Sequence, residues 1–451
     1  MNSFQSAHLK SLWVICFPLM LSALSSTLMI FLDRIILAQY ETHAMVAATA
    51  ASNVFFVFQF GAMSIAMISE VFVGQFNGAK QYHHVSKPVW QMIWFVLLCG
   101  TFMIPIGIWG GKFFLPAEFM HDGGPYFKWI MIFGPCFPLV AALSSFFIGR
   151  GKVKIVTISV ILGNIINFVL VMAFVFGIPG IMEPLGSKGA AIATGIAEML
   201  VAIGLFSIFL NARNRKLYHS HRWHFNKDLF VQCIKIGLPN AIGHMTASAG
   251  WAFVMYLLAN RSVEHVTVLS IGLSIWMLFS FITEGLQKGV TAVVSNCIGA
   301  KKNEQISAVL RTGLQLQFLL AMVLAIPLVI MPGILVNFFI PADSSASPHL
   351  RELVEHSCRW LWVAYLFDGM AWVIDGILTA AGDTRFIMLM NSVGTWLFCI
   401  APIYFFVVKM EGNPIATLQW ITLFCLILFT SYFLRYKSKK WKNNILAFQM
   451  A

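Results

Sequence analysis

The stretch Leu12–Tyr40, LWVICFPLMLSALSSTLMIFLDRIILAQY, decides what kind of protein this is. It is apolar almost without a break and longer than the roughly 20 residues a helix needs to cross a bilayer core. Asp33 interrupts it. Five residues, Arg34 to Ala38, follow before polar Gln39 and Glu41, so helical rise places the carboxylate roughly 10 Å inside the far interface. An acid at that depth is costly unless it meets a cation, a proton or a wet cavity. Arg34 does not supply the cation, because adjacent residues point to different helix faces. Asp33 therefore reads first as a functional group. The structural alternative is an acid that snorkels or pairs with a neighbour to hold two helices together.

The remaining sequence is of the same kind. Of 451 residues, 59% are hydrophobic and 11% charged, with a mean hydropathy of +0.80, whereas soluble domains carry about 25% charged residues. Hydropathy marks twelve spans, near 12–38, 46–73, 89–110, 127–149, 154–177 and 188–210, then 231–259, 265–295, 306–331, 353–381, 386–408 and 414–435. The apolar run after Lys10 is too long for the core of a cleavable signal and is expected to stay as the first span.

The net charge of +12 does not point to nucleic acid, because the basic residues sit in short connections between spans. Lys80 and Lys87, Arg150 to Lys154, Arg213 to Lys227, Lys301 to Arg311, Arg385 and the tail from Arg435 to Lys442 all fall on one side. The opposite connections are poor in lysine and arginine, so both termini are expected in the cytoplasm, with the chain in the plasma membrane, a bacterial inner membrane. The eight cysteines are scattered singly and form no CxxC pair or zinc spacing, which implies buried free thiols.

The longest connection, 211–228, divides the chain into lobes of six spans, 1–220 and 221–451. Its histidines are a metal candidate, but a solvated basic linker near anionic lipid is the simpler reading. The tail Tyr436-Lys-Ser-Lys-Lys-Trp-Lys442 reads the same way. The halves resemble each other. Span 2 ends Val73-Gly-Gln-Phe-Asn-Gly-Ala-Lys80 and span 8 ends Ser295-Asn-Cys-Ile-Gly-Ala-Lys301; spans 4 and 10 run out through Gly149-Arg-Gly and Ala381-Gly-Asp383. Internal repeats are common in transporters. The expected fold is an all-α integral membrane protein, twelve transmembrane helices in two pseudo-symmetric six-helix lobes.

The other buried polar groups are few. Asp368 and Asp375 lie seven residues apart on span 10, hence on one helix face, and suggest a proton or cation path; Asp375 alternatively meets Arg385. Glu284 and Lys288 make an i,i+4 pair that neutralises itself. Asn164 and Asn167 offer amide oxygens to a cation, or hydrogen bonds between helices. His244 is a proton relay or a neutral histidine with one hydrogen bond. Glu198 and Glu70 complete the set. The chain has no Walker A loop, no GxSxG and no HExxH. Ion-driven secondary transport remains, with no enzyme activity expected.

These residues resemble the multidrug and toxic compound extrusion (MATE) family along essentially the whole chain. The likeness rests on Leu32-Asp33, Val73-Gly-Gln-Phe-Asn-Gly-Ala-Lys80, Gly186-Ser-Lys-Gly-Ala-Ala-Ile-Ala-Thr194, Gly237-Leu-Pro239, Gly285-Leu-Gln-Lys-Gly-Val290, and Asp368 with Gly376, Leu378 and Asp383-Thr384. The resemblance implies two six-helix lobes in a V and export driven by a proton or sodium gradient. It assigns Asp33 to first-lobe coupling, Asp368 to the second lobe, and Asn167 to the asparagine of span 5. Two positions depart. Val171 stands where many members have an acid, and no glutamate occurs between Asn240 and Ser248, where His244 or Glu284 would have to compensate. Fewer oxygen ligands favour protons over sodium, since one carboxylate suffices for a proton; a sodium ion, if bound, would sit at Asp33 or Asp368.

The expectation is an antiporter exporting amphipathic, mainly cationic organic molecules, with no resident cofactor, acting as a monomer in the lipid bilayer and binding no nucleic acid. The alternative is a lipid-linked saccharide flippase of the same superfamily, which would want a basic cavity for phosphate. A channel or membrane enzyme has no motif here.

Overall fold

The computed structural model describes residues 9–340 and 348–445. Its twelve long helices follow the expected spans: α1 Leu9–Tyr40, α2 Thr42–Gly78, α3 Tyr82–Trp109, α4 Ala117–Ile148, α5 Val153–Phe176, α6 Gly186–Phe209, α7 Lys227–Ala259, α8 Val263–Gly299, α9 Gln305–Ile330, α10 Pro348–Ala380, α11 Thr384–Lys409 and α12 Pro414–Lys437. Among the described residues there is no strand, only one isolated bridge between Ile178 and Met182. Helices are forced by the setting, since hydrocarbon offers no partner to an unpaired peptide group. Large apolar side chains such as Phe102, Phe113, Val323 and Leu434 point outward, as they must where lipid is the solvent. All eight cysteines are free thiols.

The chain forms two compact units. Among the described residues, one comprises Leu21–Ala241 with Ser295–Lys301; the other comprises those up to Met20, Ile242–Val294 and those from Lys302 onward. The sequence division at 220/221 follows hydropathy, whereas these bounds follow packing. Gly237 of α7 lies against Ile65 of α2, with room for little more than a hydrogen, so the first half of α7 joins α2. At the other end, Gly285 and Gly289 of α8 let Met20 and Cys16 of α1 approach to backbone distance, and the Cys16 thiol donates to the Leu286 carbonyl. The start of α1, before and just after its internal Pro18, therefore belongs with α8.

In the first of these units a small-residue seam positions what matters. Ile36 and Leu37 of α1 pack with Val171 and Val175 of α5, Ala48 of α2, and Ala190 and Ala193 of α6. The alanines keep the helix axes close. Gly163 does the same between α5 and α6, because any Cβ there would strike Val201.

Each unit also ties its fourth helix to the segment that follows its sixth. After α4, Arg150 lays its guanidinium over Phe146 and Tyr218 at 3.7 and 4.3 Å and reaches the Asn214 Oδ1 at 3.4 Å. Asn214 and Tyr218 belong to the short helix Ala212–Tyr218 beyond α6. Burial pulls the Arg150 guanidinium down to about 10, against the opposing influence of Tyr218. After α10, Asp383 accepts a forked pair from Arg435 at 2.7 and 3.0 Å and a third bond from Asn444 at 2.8 Å. Trp441 stacks on Tyr436 and is buried. The basic tail is therefore only partly the solvated run its composition suggests. Its lysines are exposed, but Trp441 and Asn444 fold back onto the bundle.

Candidate ion-coupling sites

Asp33 is placed by the α1–α5–α6 seam, whose next turn down is Ile36 and Leu37. Asn167 of α5, fully buried, donates through one amide nitrogen to both carboxylate oxygens, at 3.0 and 3.2 Å. Thr194 of α6 lies 3.4 Å from Oδ2 and 3.0 Å from the Ala190 carbonyl, sharing one proton between them. No lysine, arginine or histidine among the described residues forms an ion pair with Asp33. The Asn167 Oδ1 is buried and has no hydrogen-bond partner among the described residues, an unusual state for a buried amide oxygen. The acid itself is half-buried, so it is held without being sealed.

Asn164, one turn away, donates to the Ser25 hydroxyl at 2.7 Å. It bonds α5 to α1 and is not part of the Asp33 cluster.

The other unit holds a second group of acids. Asp368 and Asp375 are both buried on α10. Asp375 accepts from the Gln287 amide of α8 at 2.7 Å and the Thr379 hydroxyl at 3.2 Å, both on Oδ1. Gly376 makes this possible: α8 passes so close that a Cβ there would sit 2.9 Å from the Gln287 carbonyl. The alternative partner, Arg385, forms no ion pair with Asp375. His244 of α7 packs against Trp372 of α10, with ring centroids 6.1 Å apart, within the electrostatic reach of Asp375. Glu284 and Lys288 are closed on each other along α8. Asp33 and Asp368 belong to different compact units.

The sequence singled out Asp33 and Asn167, and they meet. Thr194, Gln287 and Thr379 were not chosen as site residues. Each is a small or neutral polar side chain of a kind common in membrane helices, and only the helix face it occupies distinguishes it. Among the described residues no cluster of three histidines, cysteines or acids is arranged to hold a metal ion.

The sequence pattern of the MatE family matches residues 18–173 and 239–405, which contain Asp33, Asn167, His244, Glu284, Asp368 and Asp375. The chain belongs to the MatE family. It is 24% identical over 423 residues to a probable multidrug resistance protein NorM of Thermotoga maritima, covering 91% of this chain and 88% of that one. It is 25% identical over 404 residues to a probable NorM of Photorhabdus laumondii, covering 86% of each. Among solved structures, the eukaryotic MATE transporter AtDTX14 superposes with a TM-score of 0.82 at 19% identity, and a MATE in complex with MaL6 with 0.88 at 15%, each over 98% of this chain and 98% and 99% of theirs. A MOP superfamily transporter from Pyrococcus furiosus, described as having a binding pocket of reversed polarity, gives 0.86 at 15% over 98% of both. The twelve-helix MATE fold and membership of a multidrug-efflux transporter family follow. The chain is a multi-pass membrane protein of a family of transporters.

Proposed function

We propose that this MATE-family chain is a secondary active antiporter, exporting amphipathic, mainly cationic organic compounds in exchange for protons, with Asp33 as its coupling carboxylate. The observation that carries the reading is the setting of Asp33, an acid inside a membrane-spanning helix whose hydrogen-bond donors among the described residues are all neutral. An acid paired with arginine has its charge already compensated. Here an entering proton or cation changes the local charge by a full unit, which is why such acids are costly to keep and serve ion pathways.

The amide of Asn167 suits the ionised acid, because both oxygens accept. A protonated acid must donate, and the Asn167 Oδ1, without a partner among the described residues, is an acceptor that an amide rotation would bring round. Proton uptake thus exchanges one hydrogen-bond arrangement of α1 and α5 for another, a two-state element of the kind coupling requires. Asp33 either holds a proton or, ionised, favours a cationic substrate, but not both together. That exclusivity is antiport. Asp368 and Asp375, with His244 near, take the corresponding part in the other unit. The chain works as a monomer with no resident cofactor, in the bacterial inner membrane with both termini cytoplasmic, where a proton gradient is available to drive export.

Sodium as the coupled ion is favoured by one observation, the same Asn167 Oδ1, a neutral oxygen beside a carboxylate. Proteoliposomes loaded with a fluorescent organic cation, with proton and sodium gradients imposed separately, distinguish the two. The proposal expects transport under the proton gradient and its loss in Asp33→Asn. Transport that survives in both Asp33→Asn and Asp368→Asn would overturn it.

A further inference from the structure

The connection between α6 and α7 holds a cavity that ion coupling does not use. It is a shallow depression of about 760 Å³, open to solvent and lined by Leu210, Asn211, Ala212, Arg215, Lys216 and His221, all but Leu210 exposed. Three of its six walls are basic, and no acid occurs between Glu198 and Asp228 to balance them. The Arg215 side chain is anchored: its Nε donates to the Leu210 carbonyl at 2.5 Å. Its two terminal nitrogens find no acceptor among the described residues, so the Nε is committed to the fold and the rest of the exposed guanidinium faces solvent, open to a ligand. A guanidinium held in this way presents a fork suited to phosphate oxygens. Lys216 beside it makes no ion pair among the described residues.

The height of the cavity identifies the source of the anion. It opens at Leu210, one residue past the last residue of membrane-spanning α6, Phe209. The same connection exposes Leu217, Trp223 and Phe225. Basic residues interleaved with exposed aromatic and aliphatic side chains are the pattern of a segment lying at the lipid headgroup level.

We infer that this cavity is a headgroup site for an anionic phospholipid, in which Arg215 and Lys216 hold the phosphate while the exposed apolar residues of the connection meet the acyl chains. Soluble phosphates share the chemistry of the headgroup but not the apolar part, so the test separates them. The purified full chain is placed in mixed phosphatidylglycerol and phosphatidylcholine, and retained lipid is counted by native mass spectrometry. The expected result is phosphatidylglycerol retained with about tenfold preference. The double variant Arg215→Gln/Lys216→Gln loses that preference. Lys439→Gln/Lys440→Gln removes the same charge from the exposed tail and keeps it. Glycerol phosphate at millimolar concentration does not displace the lipid. Equal loss in the two double variants would mean diffuse surface charge, and unchanged retention in Arg215→Gln/Lys216→Gln would mean another location; either overturns the site. Displacement by glycerol phosphate would overturn the lipid assignment. The fold of each variant is checked by helical circular dichroism, and Arg215→Lys, which keeps charge but loses the fork, is expected to fall between wild type and the double variant.

Discussion

Asn167 offers a single amide nitrogen to both oxygens of Asp33, from 134 positions further along the chain. That sharing fixes the orientation of the acid and makes it sensitive to anything that alters either partner. Asp33→Asn is expected to lower gradient-driven efflux by about 100-fold, as removal of an essential charge-changing group does, while the protein still folds and binds substrate. Asn167→Ala is expected to lower it by about tenfold and to move the pH at which the rate is half-maximal. Proteoliposome transport across a pH series measures both. An unchanged pH profile in Asn167→Ala would separate the amide from the coupling step.

In the other unit, Asp375 depends on Gln287 and Thr379 for its hydrogen bonds. Gln287→Leu leaves a buried acid with one donor fewer and is expected to cost about 1–3 kcal/mol of stability. Asp375→Asn keeps an oxygen for the same donors and is expected to cost less. Thermal unfolding in detergent, followed by tryptophan fluorescence, ranks the two; the reverse order would refute the assigned partners.

Asp383 and Arg435 form the tie at the end of α10. Asp383 is nearly inaccessible, so Arg435→Ala strands a buried carboxylate and is expected to destabilise by about 3 kcal/mol. Asp383→Asn in the same background removes that stranded charge and is expected to restore part of the loss. Melting temperatures of the three proteins decide it.

Gly285 permits the start of α1 to lie against α8. A Cβ there would come within 2.5 Å of the Met20 backbone nitrogen, a contact that no side-chain rotation relieves. Gly285→Ala is expected to cost about 1–3 kcal/mol, while alanine at Gly204, whose Cβ would meet nothing within 4 Å, is expected to be neutral. Equal melting temperatures would show that the helices separate freely.

His219 gives the α6–α7 connection a pH dependence. Its ring stacks on His83 at 4.2 Å, and partial burial, then Arg222, His83, His221 and His84, hold its imidazole below the usual value. The folded state therefore prefers it neutral. The docked connection is most stable above the free value of about 6.5, and stability is lost as pH falls through 6.5 toward the lowered folded value. Hydrogen exchange in the helix Ala212–Tyr218, corrected for intrinsic rate, is expected to be faster at pH 5.5 than at 7.5. His219→Asn, which tolerates the left-handed backbone at φ +52°, is expected to flatten that difference.

The twelve helices were legible because hydrocarbon imposes one solution on a long apolar run, and Asp33 was legible because nothing apolar explains it. Thr194 and Gln287 were not, since a lone threonine or glutamine in a membrane helix has no spacing that announces its partner. Asn164 stood beside Asn167 in the same motif, yet bonds Ser25 instead; a separation of three residues turned it toward another turn of α1. The tail misled for a different reason. Five basic residues between Arg435 and Lys442 read as solvent-facing, and the single Trp441 among them, a costly residue to leave in water, was the sign that the segment returns to the bundle.

That return has a practical side for anyone handling the chain. Asn444 is nearly the last described residue, and it completes the grip on Asp383. Trimming at Lys437, where hydropathy suggests the protein is finished, would discard a fastener along with the apparent surplus. A fusion partner or affinity handle belongs after residue 445.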